Sequence, residues 1–539
     1  MTDNSSIGRT VMDKIADLGD KAKTAVDMAK GLDVQRIAMI GCGSMGGGMA
    51  QLFAEKGIFV GLQDPNESIM DRVLDSAAKA GIPKDRIQKY NDYESLCKDL
   101  GSPKVFVWSL PHGGVGDRVL DGLMPLLEKG DIIIDCGNEH WENTERRQGK
   151  CVTKGIRYVG CGVSGGYQAA RRGPSMCPGA DDETLSLVLP TLRKVAAKDP
   201  DGKPCVGRVG TGGAGHYCKM IHNGIEHGMM SAISEAYAFM RIGLGMSLDE
   251  IADTYDQWNS DGELKGTFLV WISRDICRKT NSKGQRVLDE VEDKVVQDFT
   301  GEEGTGIWSN IEAVDKHVPA PTLTTAHYLR LASGNRYQRA FIQKAFDVGD
   351  GSPNDAHTQL FPPQKLQDVS GRATVLEDLR KAVYAACLSA YVQGMIIIDR
   401  ADREHHFNVD YTELLQVWRA GCIIQADYIS STLLRPIYHS KKTKPEEINP
   451  MYEPSVAADL KKSFVSLRKI VAKSIEGDHI IPALSATLEY LKYQTSTDLP
   501  TSMYEAQLDY FGSHMYDKKG DDPKGRPQTG KHHFEWKPA

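Results

Sequence analysis

An apolar run from Val34 to Ile40 passes directly into Gly41-Cys42-Gly43-Ser44-Met45-Gly46 and then into a helical pattern through Ala54. A buried strand, a glycine turn and a helix in immediate succession leave few options for the chain around them. The glycines permit a tight turn and let a pyrophosphate approach the backbone at a helix N-terminus. Dinucleotide contacts are therefore expected from Gly41, Gly43, Ser44, Met45 and Gly46. The strand–turn–helix context is what separates this string from an ordinary Gly-rich turn.

The next apolar run, Ile58 to Leu62, ends in Gln63-Asp64-Pro65-Asn66. Asp64 follows the glycines by about twenty residues, where an acidic side chain commonly accepts from the adenosine ribose hydroxyls. Asp-Pro-Asn is also a good turn sequence, and that alternative stays open. Strands expected at Val105 to Leu110 and Ile132 to Asp135, with a helix at Val119 to Leu127 between them, continue the alternation. They predict a doubly wound parallel sheet. Ser109 and Asn138 fall after strand ends, the edge on which open α/β sheets bind ligands, although a strand-end asparagine is also a common turn former.

A second stretch carries the chemistry. In Gly213-Ala214-Gly215-His216-Tyr217-Cys218-Lys219-Met220-Ile221-His222-Asn223-Gly224-Ile225-Glu226, the residues Lys219, His222, Asn223 and Glu226 stand at i, i+3, i+4 and i+7. A helix would place all four on one face. Met220, Ile221, Met229, Met230, Ala232, Ile233, Ala236 and Ala238 make this helix apolar most of the way round, the pattern of a buried one. Burial disfavours an ammonium, which is how a lysine becomes a general base. An amphipathic helix with solvated Lys219 and Glu226 is the plainer alternative.

The segment GAGHYCKMIHNGIEHG closely resembles the catalytic helix of 6-phosphogluconate dehydrogenases, within the wider β-hydroxyacid dehydrogenase group. The resemblance implies that Lys219 takes the proton of the substrate C3 hydroxyl, that Glu226 protonates C1 after CO2 leaves, and that His222 and Asn223 bind substrate. It extends to Asn138 and to Ser164-Gly165-Gly166, which match substrate-binding positions. It also covers Trp258-Asn259, Thr305, Arg330, Trp418-Arg419-Ala420-Gly421-Cys422-Ile423-Ile424, Asp509-Tyr510-Phe511-Gly512-Ser513-His514-Met515-Tyr516 and His533-Phe534-Glu535-Trp536. It implies a homodimer whose tail carries His514 into the partner's site.

Several residues depart from the family pattern. Tyr167 and Gln168 replace two glutamates; Glu303, Leu508 and His227 stand where a lysine, an arginine and a tyrosine help bind the 6-phosphate. Either neighbouring cations such as Arg171 or Arg172 take that phosphate, or the substrate is a related 3-hydroxy aldonate without it. At the cofactor, Asp64-Pro65-Asn66 replaces the usual Asn-Arg-Thr, so NAD is expected to be preferred over NADP. A catalytically silent nucleotide-binding regulator on the same fold is the reading of a different class.

The expected architecture is an α/β N-terminal Rossmann-like doubly wound sheet followed by an all-α domain and a short C-terminal tail. The divisions are an extension over 1–33, a dinucleotide-binding domain over 34–212, a helical catalytic and dimerisation domain over 213–499 and a tail over 500–539. The 162–166 and 172–179 stretches are expected as loops offering N–H groups to an anion, and 349–363 as an exposed loop. A chain of 539 residues with 40% apolar residues, 25% charged residues and a net charge of −7 gives no reason to expect nucleic acid. Eleven scattered cysteines without paired spacing suggest reduced thiols and no metal site. No apolar run long enough for a membrane span, no hydrophobic signal core and no peroxisomal ending are expected, so the location is read as cytoplasmic.

Overall fold

The computed structural model describes residues 31–300, 304–346, 361–366, 371–441, 448–521 and 530–537. The N-terminal extension up to residue 30, Glu303 and most of the loop expected at 349–363 lie outside these residues.

Seven strands form one sheet in the order β3-β2-β1-β4-β5-β6-β7. They are β1 (Arg36–Ile40), β2 (Phe59–Gln63), β3 (Ile87–Lys89), β4 (Val105–Trp108), β5 (Ile132–Asp135), β6 (Arg157–Ser164) and β7 (Ser175–Gly179). All neighbours are parallel except β6 and β7, where Ser164 faces Ser175 in an antiparallel pair. The strand period of two divides the core in half. Ile37 and Met39 of β1 join Val107 of β4 on one face, packed with Met49 and Phe53. Ala38 and Ile40 join Phe106 and Trp108 on the other, packed with Leu96 and Leu120.

The helices covering these faces are α1 (Ser44–Glu55), α2 (Glu67–Lys79), α3 (Tyr93–Leu100), α4 (Gly114–Leu123), α5 (Trp141–Val152), α6 (Gly166–Arg172) and α7 (Asp182–Val195). Asn66 caps α2 by accepting from the Ser68 N–H at 3.2 Å, which satisfies one orphan donor of the first turn. The helix expected at Val119 begins earlier, at Gly114. The two stretches expected as loops are instead the end of β6, a helical turn, and β7. Glycine explains this, because a backbone without Cβ lets two strands and a helix press together.

The helix pressed there is α8 (Ala214–Ala238). A Cβ on Gly215 would stand 2.2 Å from the Gly160 carbonyl and 2.3 Å from that of Cys177. Its apolar residues are buried as expected, save Met230, which is 44% exposed, and Ala238, which is half-buried. Further on come α9 (Thr305–Asp315), α10 (Pro321–Gly334), α11 (Arg336–Phe346), α12 (Arg372–His405) and α13 (Pro454–Glu476). Contrary to the expectation of no membrane-length apolar run, α12 has 34 residues and the hydropathy of one, but its apolar window is wholly buried within the protein. It is a core helix.

The chain forms two compact units, Met1–Thr487 and Leu488–Ala539. The second contains α14 (Thr501–Gly512). There the buried Asp509 carboxylate accepts from the Trp536 indole at 2.8 Å, the Phe534 N–H at 3.1 Å and the Met515 N–H at 3.1 Å, and contacts His533 Nδ1 at 2.9 Å. One carboxylate thus ties together the two tail motifs.

Candidate active site

A cavity of about 660 Å³ opens where β4, β5 and β6 end against α8. Ser109 and His112 reach it after β4, Asn138 after β5, Ser164 at the end of β6, and Gly165 and Gly166 just beyond it. Lys219, Asn223, Glu226 and His227 line it from α8, Thr305 and Trp308 from α9, and Arg330 from α10. Most residues singled out in the sequence for substrate therefore converge, and so do Met45 and Ser109 from the nucleotide set.

Lys219 is 7% exposed, held on the buried side of α8 because its Cβ lies over Gly162. Its Nζ donates to Asn223 Oδ1 at 2.8 Å and stands 3.5 Å from His222 Nδ1. The Asn223 amide is oriented by both its ends, with Nδ2 donating to Thr305 Oγ1 at 2.6 Å. Its Oδ1 carries only lone pairs, so the His222 Nδ1 at 3.0 Å must hold the ring proton. That assignment leaves Nε2 to accept from Ser164 Oγ at 3.0 Å or Cys422 Sγ at 3.1 Å. Burial, reinforced by the Lys219 charge, keeps the His222 pKa well below its ordinary value.

His222 is not among the residues lining the cavity. It is fully buried behind Ser164, where it braces both the serine and the asparagine. Glu226 Oε2 lies 3.7 Å from His222 Nδ1, with its side chain 21% exposed. A lysine, an amide and a carboxylate are thus presented along one helix to one cavity, groups capable of proton transfer at two points of a small acid.

Farther along α8, His227 is buried and its Nε2 faces the Arg330 guanidinium. Its ring stacks on that of His327, with centroids 5.5 Å apart and planes 4° apart. Burial first, then Arg330 and His327, hold the His227 pKa well down. Arg171 pairs with Glu55 of α1, and neither it nor Arg172 lines the cavity. Leu508 and His514 belong to the second unit, where His514 is exposed and packs edge-on to Phe511.

The glycine turn has the geometry of a pyrophosphate cradle. Gly41 adopts φ +85°, and a Cβ on Gly46 would stand 1.9 Å from the Gly41 carbonyl. Gly43 faces open space, no side chain caps α1 and no acidic residue occupies its first turn. The N–H groups and the positive end of the helix dipole are thus available to an anion. Asp64 Oδ2 accepts from the Cys42 N–H at 2.8 Å and Oδ1 from the Asn66 N–H at 2.9 Å. This carboxylate is pinned beside the turn rather than swinging in solvent.

Sequence reasoning missed His112, on the loop after β4. Trp308 stands edge-on to both His112 and His140, with centroids 5.2 and 5.1 Å away, and joins the two strand-end loops to α9. The only signal was its position, two residues beyond Leu110 at the ligand edge of the sheet. All eleven cysteines are free and buried; the Cys422 thiol, beside His222, is pushed up to about 12 by burial.

A Rossmann-type sheet whose ligand edge is closed by a helix bearing lysine, asparagine and glutamate defines a dinucleotide-dependent dehydrogenase class. Residues 36–210 match the NAD binding domain of 6-phosphogluconate dehydrogenase and residues 215–536 match 6-phosphogluconate dehydrogenase, C-terminal domain. The chain belongs to the 6-phosphogluconate dehydrogenase family. It is 40% identical over 513 residues to a decarboxylating 6-phosphogluconate dehydrogenase of Emericella nidulans, covering 92% of this chain and 100% of that one. It is 32% identical over 505 residues to that of Escherichia coli K12, covering 93% and 99%. The solved Plasmodium falciparum 6-phosphogluconate dehydrogenase superposes with a TM-score of 0.79 at 29% identity, over 93% of this chain and 100% of that one.

Proposed function

We propose that this chain oxidatively decarboxylates 6-phosphogluconate, or a closely related 3-hydroxy aldonate, to a ketose and CO2. The observation that carries this is the Lys219–Asn223–Glu226 row facing one cavity beside the dinucleotide turn. Lys219, when unprotonated, takes the C3 hydroxyl proton, and a bound dinucleotide would supply the hydride acceptor. The resulting 3-keto acid loses its carboxylate as CO2, and Glu226 delivers a proton to the carbon left behind. Asn223 and Thr305 hold the lysine on line, and His222 holds Asn223 and Ser164. Asn138, Ser164, Gly165 and Gly166 offer the polar groups for the acid end, and Arg330 with His227 those for the far end. Gly41, Gly43, Ser44, Met45, Gly46, Asp64, Asn66, Ser109 and Asn138 are proposed to hold the cofactor.

The test is direct: incubation with 6-phosphogluconate and dinucleotide should yield reduced nicotinamide and CO2 in equal amounts. Activity on a non-phosphorylated aldonate alone would favour a second reading, which Glu303 and Leu508 at the two cation positions and His227 at the tyrosine position support. Nucleotide binding without turnover on any aldonate would leave the silent regulator.

NAD is the cofactor we favour. The pinned Asp64 carboxylate accepts from a free 2′-hydroxyl and repels a 2′-phosphate, while Pro65 offers no cation. Solvent screening leaves roughly 1–3 kcal/mol of discrimination, about five- to 150-fold in kcat/KM. Asp64→Asn should narrow the ratio; a strong wild-type preference for NADP overturns this reading of the turn.

The assembly proposed is a homodimer that acts in the cytoplasm, with His514 reaching the partner's site. An exposed aromatic pair supports it: Tyr337 is 75% and Phe341 57% exposed, with ring centroids 4.6 Å apart.

A further inference from the structure

Arg147, on α5, is 1% exposed and does not line the cavity. Its Nη2 donates to the Gly113 carbonyl at 2.7 Å, its Nη1 to Glu139 Oε2 at 2.7 Å and its Nε to Asp117 Oδ1 at 3.1 Å. Glu139 also accepts from the Gly113 N–H at 3.0 Å and the His140 N–H at 2.8 Å. The Gly113 residue, at φ +78°, is thus gripped through both its N–H and its C=O by one buried ion pair. His112 precedes Gly113 and Asn138 precedes Glu139, and both line the cavity. The guanidinium fork therefore sets the two strand-end loops between the dinucleotide turn and Lys219. A planar donor fork can hold three partners at fixed angles, whereas an ammonium with the same charge cannot.

We propose that Arg147 is a positioning residue for the nicotinamide half of the cofactor, acting through the Gly113 and Glu139 loops and leaving the adenosine half untouched. This rests on the dehydrogenase reading above. Two variants test it. Arg147→Lys keeps the charge and loses the fork. Gly116→Ala keeps the arginine but places a Cβ 2.7 Å from its Cζ and Nη1, so the buried guanidinium must shift from its three partners.

The readouts are binding of ADP-ribose, which lacks the nicotinamide, binding of reduced dinucleotide followed by nicotinamide fluorescence, and turnover. Both variants should leave ADP-ribose affinity within about twofold of wild type, weaken reduced dinucleotide severalfold and lower kcat by about 10- to 100-fold, the effect of an ångström-scale misplacement. Unchanged reduced-dinucleotide affinity and turnover in either folded variant overturns the proposal, and so does a loss of ADP-ribose affinity parallel to that of the dinucleotide. The binding comparison needs no substrate, so it stands if wild type fails to oxidise 6-phosphogluconate; absence of ADP-ribose binding to wild type would instead sink the cofactor reading itself.

Discussion

Gly162→Ala is the smallest change expected to disable the site. The added Cβ would stand 2.3 Å from Lys219 Cβ, 2.9 Å from its Cγ and 2.8 Å from the Gly215 carbonyl oxygen. Carbon atoms pack best at about 3.5–4.0 Å, so β6 and α8 must part by roughly 1 Å. Neither obstacle can rotate away: one atom is the first of a side chain and the other is backbone. Gly215 in turn is pressed against Gly160 and Cys177, so α8 cannot slide along the strand to relieve the clash. Overpacking of this kind costs about 1–3 kcal/mol of stability, while displacing a reacting group by an ångström costs on the order of 10²-fold in rate. The variant should therefore fold, melt a few degrees lower and lose about 100-fold in kcat with smaller changes in KM. Gly149→Ala, whose Cβ meets nothing within 4 Å, is the control. A folded Gly162→Ala enzyme with kcat within about threefold of wild type would falsify the argument that this contact places Lys219.

Lys219→Met should lower kcat by about 10²- to 10⁴-fold with dinucleotide affinity little changed; near wild-type turnover removes Lys219 from the proton path. Glu235 is buried, accepting from Ser231 Oγ at 2.7 Å and from the N–H groups of Ala483 and Leu484 at 2.8 and 2.9 Å, and burial raises its carboxyl from 4.5 to about 7. Because the folded value exceeds the unfolded one, its contribution is complete below pH 4.5 and fades as pH rises through 7. The span is about 3 kcal/mol. Wild type should lose melting temperature relative to Glu235→Gln between pH 5 and 8, and parallel curves would refute the titration. Mixing a Lys219 variant with a His514 variant should restore activity if tails are exchanged between subunits; no restoration under proven subunit exchange argues for self-contained sites.

What the sequence disclosed and what it concealed divide along the range of the interactions. The glycine turn was legible because its constraint is local: Gly41 needs φ +85° and Gly46 needs no Cβ within a six-residue span. The boundaries of β5 were equally plain, since Ile132 to Asp135 is apolar until its final residue. The antiparallel β7 was read as part of a loop because its residues, Ser175-Met176-Cys177-Pro178-Gly179, have little strand propensity; pairing with β6 and the pressure of α8 override it. Arg147 and Glu139 carried no signal at all, for their meaning lies in Gly113, more than a helix away in sequence.

His222 shows where periodicity stops being sufficient. Three residues on from Lys219, it does share that lysine's face of α8, and spacing alone would send both into the same cavity. What divides the face is the tertiary wall laid across it. Ser164 at the end of β6 and Cys422 on a loop more than two hundred residues later close over the imidazole at 3.0 and 3.1 Å. Lys219, one turn earlier, keeps its Nζ at the cavity because Gly162 gives its stem room there. The histidine thereby braces the residues around it. With its proton on Nδ1 toward Asn223 Oδ1, it fixes the amide that receives the Lys219 Nζ. Its neutrality is what makes this workable: a charged imidazolium 3.5 Å from that nitrogen would repel the lysine's proton-bearing form.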